Sequence, residues 1–299
     1  MTSQLEIAYD YCQRVARKQA KNFYYAFRTL PTPKRRAIYA TYAFCRMCDD
    51  IADEDMPMDE KRRQFSETRN LLTESFRRTG SEVGNDALPP EFAALSVATA
   101  AFGIPHHYYT QVIEGVESDL VKTRFENFEE LKAYCYQVAS VVGLICIEVF
   151  GYEDEAAREY AIDMGIAMQL TNILRDIKED AERDRIYIPL DEMARFGYSE
   201  DDLKQGIIDE RFRSLMALQV NRARDYYQRS QKLFPLIDAG ARACPKVLHL
   251  AYRSILDRID AQGYDVFSQR IGLTTFEKLM ITGRLWAGTL LPSVPSLRR

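Results

Sequence analysis

Apolar residues recur at helical spacing along nearly all of the chain, and the alternating runs that a half-buried strand needs are almost absent. The segments "RRAIYATYAFCRM", "AYCYQVASVVGLICIEVFG", "YAIDMGIAMQLTNILRDI" and "KVLHLAYRSILDRI" keep the period that lays one stripe of side chains along one helical face. Punctuation falls where such helices should stop and start: "LPTP" at 30–33, "GSEVGNDALPPE" at 80–91, "FGIP" at 102–105, "FGYEDE" at 150–155, "IYIPLDE" at 186–192, "FGYSEDD" at 196–202 and "AGARACP" at 239–245. Gly151 follows an apolar run as a helix stop, and Ser199 precedes a run of acids as an N-cap. Neither a linker nor a repeat of roughly 20 to 50 residues divides the chain. The expectation is an all-α fold, a single domain over residues 1–299, with about ten or more helices around a central cavity.

One of these helical segments carries a burden of charge. In "CRMCDDIADE", residues 45–54, Asp49 and Asp53 lie four apart on one face, with Asp50 and Glu54 one step around it and only Arg46 nearby. Carboxylates this close repel one another, so the cluster is either a solvated helix end or a site for a cation. A second stretch, "QLTNILRDIKEDAERDRIYIP", bears on the choice. Gln169, Asn172, Asp176 and Asp180 fall at offsets 0, 3, 7 and 11, one helical stripe, just as Tyr42, Arg46, Asp49 and Asp53 fall at 0, 4, 7 and 11. Two stripes, each ending in an Asp pair and each interleaved with bulky apolar residues, point to a shared site for Mg²⁺ and diphosphate. Hard oxygen ligands without histidine suit that ion, which takes one or two protein carboxylates and bridges to phosphate.

Composition removes other classes of function. A net charge of −4 and the absence of a clustered Lys/Arg stripe leave no footprint for nucleic acid. The N-terminal segment reads as no signal peptide, and no apolar run of about 18 residues is found, so the expectation is a cytoplasmic protein that does not span the membrane. The pair Cys45-x-x-Cys48 stands alone inside a helical pattern and reads as core packing rather than zinc or redox chemistry. The terminal "FEKLMITGRLWAGTLLPSVPSLRR" reads first as a last core helix and second as a segment for peripheral contact with the inner face of a membrane.

In "AYCYQVASVVGLICIEVFG", small residues (Ala139, Ser140, Gly143) sit among Val138, Val141, Val142, Leu144 and Ile145. They allow close approach along an apolar wall, either by a neighbouring helix or by a ligand. An apolar cavity with acids at its mouth suits an amphiphile, a diphosphate head on a long hydrocarbon tail.

Together "NFYYAF", "AIYATYAFCRMCDDIADE", "AYCYQVASVVG", "AMQLTNILRDIKEDAERDRIYIP" and "GYDVFSQR" resemble, in order, the signature blocks of the squalene/phytoene synthase family over essentially the whole chain. The resemblance implies an isoprenoid synthase fold, Mg²⁺ or Mn²⁺, and head-to-head condensation of two prenyl diphosphates through a cyclopropylcarbinyl diphosphate. It makes Asp49, Asp53, Asn172, Asp176 and Asp180 the metal-binding set. Diphosphate contacts fall to Asn22, Arg46, Gln169, Asn172, Arg175, Arg185, Tyr187 and Arg270, although related enzymes often place hydroxyls near Asn22. Tyr42, Arg46, Tyr134 and Tyr252 become candidates for stabilising the cation or relaying its proton. The hydrocarbon wall takes in Phe23, Val138, Ala139, Val142, Gly143 and Leu144, and here "ASVVG" replaces the family's usual "AGTVG". Local resemblance of "FYYAF", "VVGLICIEVFGY" and "GYDVFSQR" favours the presqualene diphosphate type, formed from farnesyl diphosphate without NADPH. Phytoene synthesis from geranylgeranyl diphosphate, or squalene or dehydrosqualene synthesis, are the alternatives within the family. Terpene cyclases and head-to-tail elongation enzymes share the metal logic but not the "R-x-x-DD" context, and a non-catalytic descendant should have lost some of these acids.

Overall fold

The computed structural model describes residues 4–20, 23–78 and 88–290, with side chains as far as residue 285. Within them the chain forms α1 (Gln4–Gln19), α2 (Phe23–Phe27), α3 (Thr32–Asp53), α4 (Met58–Arg77), α5 (Pro90–Phe102), α6 (His106–Ser118) and α7 (Phe128–Cys135). A π turn, Tyr136–Ser140, leads into α8 (Val141–Phe150), α9 (Ala156–Arg175), α10 (Ile177–Glu182), α11 (Leu190–Arg195) and α12 (Glu200–Lys204). The chain continues through α13 (Glu210–Ser230), α14 (Leu233–Leu236), α15 (Ala243–Ala261) and α16 (Thr275–Leu290). Among the described residues there is no strand, only isolated bridges joining Arg124 to Ile186 and Tyr152 to Ile237. The fold is all-α, as its periodicity requires. Helices of four to six residues between the long ones raise the number above ten.

Local chemistry sets the boundaries. Prolines 31 and 33 flank the start of α3, where a missing N–H costs nothing. Gly103 and Gly151 end α5 and α8 at φ 63° and 76°, a region closed to most L residues. Ser199 caps α12 in a reciprocal box with Asp202. Two expected boundaries move. Glu54 is the extended residue after α3, its N–H bonded to Asp50 O at 2.9 Å, so it does not continue the acidic helical face. Asp176 leaves helical geometry at φ −102° and ψ 14°, so the stripe expected on one helix is shared by α9 and α10. The 2.9 Å bonds from Asp176 N to Asn172 O and from Asp180 N to Asp176 O carry the stripe around that bend.

Helix α9 packs against α8, α13 and α15. Its buried Thr171 hydroxyl meets the Tyr227 phenol of α13 at 2.9 Å, and Asp163 takes Arg229 Nε at 3.0 Å. The stretch Phe128–Phe150, comprising α7, the π turn and α8, is 23 residues long and contains an 18-residue window with a mean hydropathy of 1.7, half of it buried. By length and composition it could cross a membrane, contrary to the sequence expectation. Its apolar character has a local reason: one side packs in the core and another borders a cavity. The C-terminal segment in question falls partly outside the described residues. Within α16, Ile281 and Leu285 pack on the core while Phe276, Leu279 and Met280 are exposed.

Candidate active site

A cavity of about 570 Å³ opens between α2, α3, the α7–α8 unit, α9 and α15. Both Asp pairs border it. Tyr42, Arg46, Asp49 and Asp53 reach it from one face of α3, while Phe44, Cys48 and Ile51 on other faces are buried in the core. Gln169, Asn172, Asp176 and Asp180 reach it from α9 and α10. The polar stripe of each helix is therefore the wall of a cavity rather than an ordinary solvent face.

The segment after α10 supplies more charge, and its backbone explains how. Ile186 N bonds Thr123 O and Leu190 N bonds Phe125 O, each at 2.9 Å, holding residues 185–188 extended. Extended chain alternates its side chains, so Arg185 and Tyr187 border the cavity whereas Ile186 and Ile188 enter the core. Arg183 and Arg185 approach Asp53 Oδ1 at 3.3 and 3.5 Å. Arg270 donates from Nε to Asp176 Oδ1 at 2.9 Å, its Nη2 lies 2.8 Å from the same oxygen in an ion pair, and Arg175 also grips that carboxylate. Burial pushes Asp176 up, but these two guanidiniums hold it below the usual carboxylate range.

Asp49 and Asp180 lack such compensation, with no ion pair among the described residues. Burial, joined by Asp53 and Asp50 and only partly opposed by Arg46, raises Asp49 to about 7. Protein surrounds its carboxylate on most sides, but the group opens into the cavity and so remains accessible. Asp180 is likewise pushed up to about 7, by burial and by Asp176. A cation bound among these groups would relieve that repulsion.

Two unpartnered polar atoms test whether a metal–diphosphate pair fits. Arg46 pairs with Asp50 through Nη2, yet among the described residues its Nε is a buried donor without a partner and Asn172 Oδ1 a buried acceptor without one. A phosphate oxygen would satisfy the first and a hard cation the second. Among the described residues no three acidic, histidine or cysteine side chains converge tightly enough to ligate an ion unaided. The donors that border the cavity, carboxylates and an amide oxygen, suit Mg²⁺, which keeps waters and shares its shell with phosphate, and the residues present fit it.

The cavity also contains an acid that sequence reasoning missed. Asp119, just past α6, accepts the Tyr134 phenol at 2.9 Å on Oδ2 and the Tyr187 phenol at 3.1 Å on Oδ1. The two rings stack with centroids 5.3 Å apart. Burial raises Asp119 to about 6 against the pull of the phenols and Arg185. No periodic signal marks Asp119, because three separate segments converge on it. Arg183 was also missed, although it lies three residues beyond Asp180 in a charged run.

Every described residue of the expected set except Leu144 and Arg270 borders the cavity: Tyr42, Arg46, Asp49, Asp53, Tyr134, Gln169, Asn172, Arg175, Asp176, Asp180, Arg185, Tyr187 and Tyr252 at its polar and aromatic surfaces. Phe23, Val138, Ala139, Val142 and Gly143 form part of the apolar wall. Arg270 reaches the rim through Asp176, and Asn22 lies outside the described residues. Leu144 is a correction. It lies one residue past Gly143, about 100° farther around the helix, and packs in the core; Cys146 and Ile147 border the cavity instead. Cys45 is also a cavity residue, and all six cysteines are free thiols.

A pocket charged at one end and apolar along its length accommodates an anionic amphiphile, and the class so defined is that of all-helical prenyltransferases. The chain belongs to the squalene/phytoene synthase family, enzymes that join two prenyl diphosphates head to head, and the family signature matches residues 16–277. It is 36% identical over 286 residues to a phytoene synthase of Arthrospira platensis, covering 91% of this chain and 90% of that one. Identity to the 15-cis-phytoene synthase of Synechocystis is 35% over 294 residues, with 94% and 85% covered. The crystal structure of a dehydrosqualene synthase with ligand superposes with a TM-score of 0.84 at 30% identity, covering 95% and 97% of the two chains. A squalene synthase from Alicyclobacillus acidocaldarius gives 0.80 at 27%, covering 89% and 97%.

Proposed function

We propose that this chain condenses two molecules of farnesyl diphosphate to presqualene diphosphate, a cyclopropylcarbinyl diphosphate. The observation that carries the reading is the polarity of the cavity: acids, arginines and unpartnered polar atoms at one end, and hydrocarbon side chains along the rest. Asp49, Asp53, Asn172, Asp176 and Asp180 are the residues that would hold Mg²⁺, which would supply electrostatic stabilisation of the diphosphate leaving group. Arg46, Arg185 and Arg270 bind and orient the diphosphate. The walls from Phe23, Val138, Val142 and Met168 exclude water from the allylic cation while the second double bond attacks. Closing the cyclopropane releases a proton. Tyr134 can accept it at Oη while passing its own proton to Asp119 Oδ2, 2.9 Å away.

The choice of farnesyl substrate rests on "FYYAF" and "GYDVFSQR". The phytoene synthase activity named for the cyanobacterial relatives favours a second reading, geranylgeranyl diphosphate converted to phytoene. Purified protein incubated with Mg²⁺ and either substrate, with and without NADPH, distinguishes them by mass spectrometry of the products. The first reading expects presqualene diphosphate from farnesyl diphosphate, with no shift to squalene on adding NADPH. A much higher kcat/KM for geranylgeranyl diphosphate, with phytoene as product, selects the second. Absence of product from both substrates rejects both.

Exposed Phe276, Leu279 and Met280 support peripheral contact of α16 with a membrane into which a long hydrocarbon product would partition. Equal vesicle flotation of wild type and a variant with serine at all three positions would exclude that contact.

A further inference from the structure

The wall bordering the cavity from Tyr134 to Phe150 is straighter than an α-helix allows. Tyr134, Val138, Val142, Cys146 and Phe150, taken in steps of four, all border the cavity. A plain α-helix turns about 40° with each such step, so Phe150 would lie ~160° around from Tyr134, almost on the opposite face. The π turn accounts for the difference. Val141 N–H bonds Tyr136 O, an i to i+5 link that accommodates one extra residue and takes back about 100°. Tyr134 at the charged end and the hydrocarbon wall beyond it consequently share one face.

The turn is gripped on two sides. On α9, a Cβ at Gly165 would lie 2.5 Å from Ser140 Cα and 2.7 Å from Ser140 N, so only glycine lets the π backbone approach this closely. On α6, a Cβ at Gly115 would meet Gln137 Cβ at 2.8 Å. Ser140 Oγ donates to Ile162 O of α9 at 2.8 Å, tying the end of the turn to the same helix. We infer that the π turn Tyr136–Ser140, seated against Gly165, is the register device that aligns the hydrocarbon wall with the charged mouth and thereby sets which prenyl chain lengths the cavity accepts. Ser140, which does not border the cavity, and Gly165, whose backbone does, are positioning residues through their hold on the turn. They act through the orientation of Val142, Cys146 and Phe150, and the inference rests on the prenyl diphosphate reading above.

A short prenyl tail would end beside Tyr134 and Val138, whereas a long one would run down the wall beyond the turn, which extends ~22 Å from Tyr134 to Phe150. Disturbing the turn should penalise long tails selectively. The test measures dissociation constants by calorimetry, with Mg²⁺, for the unreactive S-thiolodiphosphate analogues of geranyl, farnesyl and geranylgeranyl diphosphate. Gly165→Ala should weaken the geranylgeranyl analogue about tenfold or more while leaving the geranyl analogue nearly unchanged. Ser140→Ala, which removes one hydroxyl outside the cavity lining without adding bulk, should move the same ratio by about threefold and decides the matter, since a methyl at Gly165 could also touch the tail directly. Leu72→Ala, in the core on α4 and away from the cavity, should lower the melting temperature without moving the ratio. An unchanged ratio in the folded π-turn variants, or a shift equal to that of Leu72→Ala, overturns the register assignment. If none of the three analogues binds wild type, the substrate class itself is wrong, an outcome distinct from an unchanged ratio.

Discussion

Arg270 donates from Nε to Asp176 Oδ1 at 2.9 Å and holds Nη2 2.8 Å from it in an ion pair, across 94 residues of sequence. The pair places a half-exposed guanidinium at the cavity rim, beside a carboxylate that would hold the metal and within the charged end where a diphosphate would bind. Arg270→Ala should raise KM for the prenyl diphosphate about tenfold, the worth of a charge-assisted contact, with little change in melting temperature. Steady-state kinetics at saturating Mg²⁺ provide the measurement, and an unaltered KM would remove Arg270 from the diphosphate site.

Asp49→Ala should abolish turnover while leaving the helical circular dichroism spectrum intact. The side chain opens into the cavity, so its loss creates no core void, and removing one of several crowded acids relieves repulsion in the ligand-free protein. Turnover near the wild-type rate at saturating Mg²⁺ would sink the metal assignment.

Stability of the ligand-free protein should fall as pH rises through the neutral range. Asp49 and Asp180 are held up to about 7 and Asp119 to about 6, against a usual value of 3.8. Between these limits the native state binds more protons than the unfolded chain, so each group's stabilising contribution is complete below its unfolded pKa and is lost as pH rises through its folded pKa. Buried His249, held below its usual value, acts in the opposite sense. Comparison with the double variant Asp49→Asn, Asp180→Asn cancels the histidine effect. Melting curves from about pH 5 to 8 should slope less steeply in the double variant, and parallel curves would contradict the assigned shifts.

Tyr227→Phe should cost about 1 kcal/mol of stability, or about 2 °C in melting temperature. The phenol meets Thr171 Oγ1 at 2.9 Å in the interface of α9 and α13, and Thr171 keeps its 2.8 Å bond to Ala167 O when the phenol is removed. Since no donor is orphaned, a loss above about 3 kcal/mol measured by urea denaturation would show that packing, not this bond, dominates there.

Local pattern alone made the helices and most of the charged site legible. Asp49 and Asp53 share a face because four residues make just over one helical turn, and Ser199 and Gly151 mark boundaries through their own backbone chemistry. Short-range geometry does not reveal where a helix bends or what distant segments bring together. Asp176 interrupts the helix that its stripe suggested, and one residue's rotation sends Leu144 into the core rather than the cavity. Asp119 acquires its environment only when the end of α6, Tyr134 of α7 and the extended chain at Tyr187 meet. The same holds for the π turn, whose close seat against α9 depends on the missing Cβ of Gly165. Sequence by itself determined which residues can form helices and which bring charge, because propensity and periodicity act within a few turns. Tertiary structure decided which charges face one another and how the hydrocarbon wall is aligned, because electrostatics and packing depend on distances in space rather than along the chain.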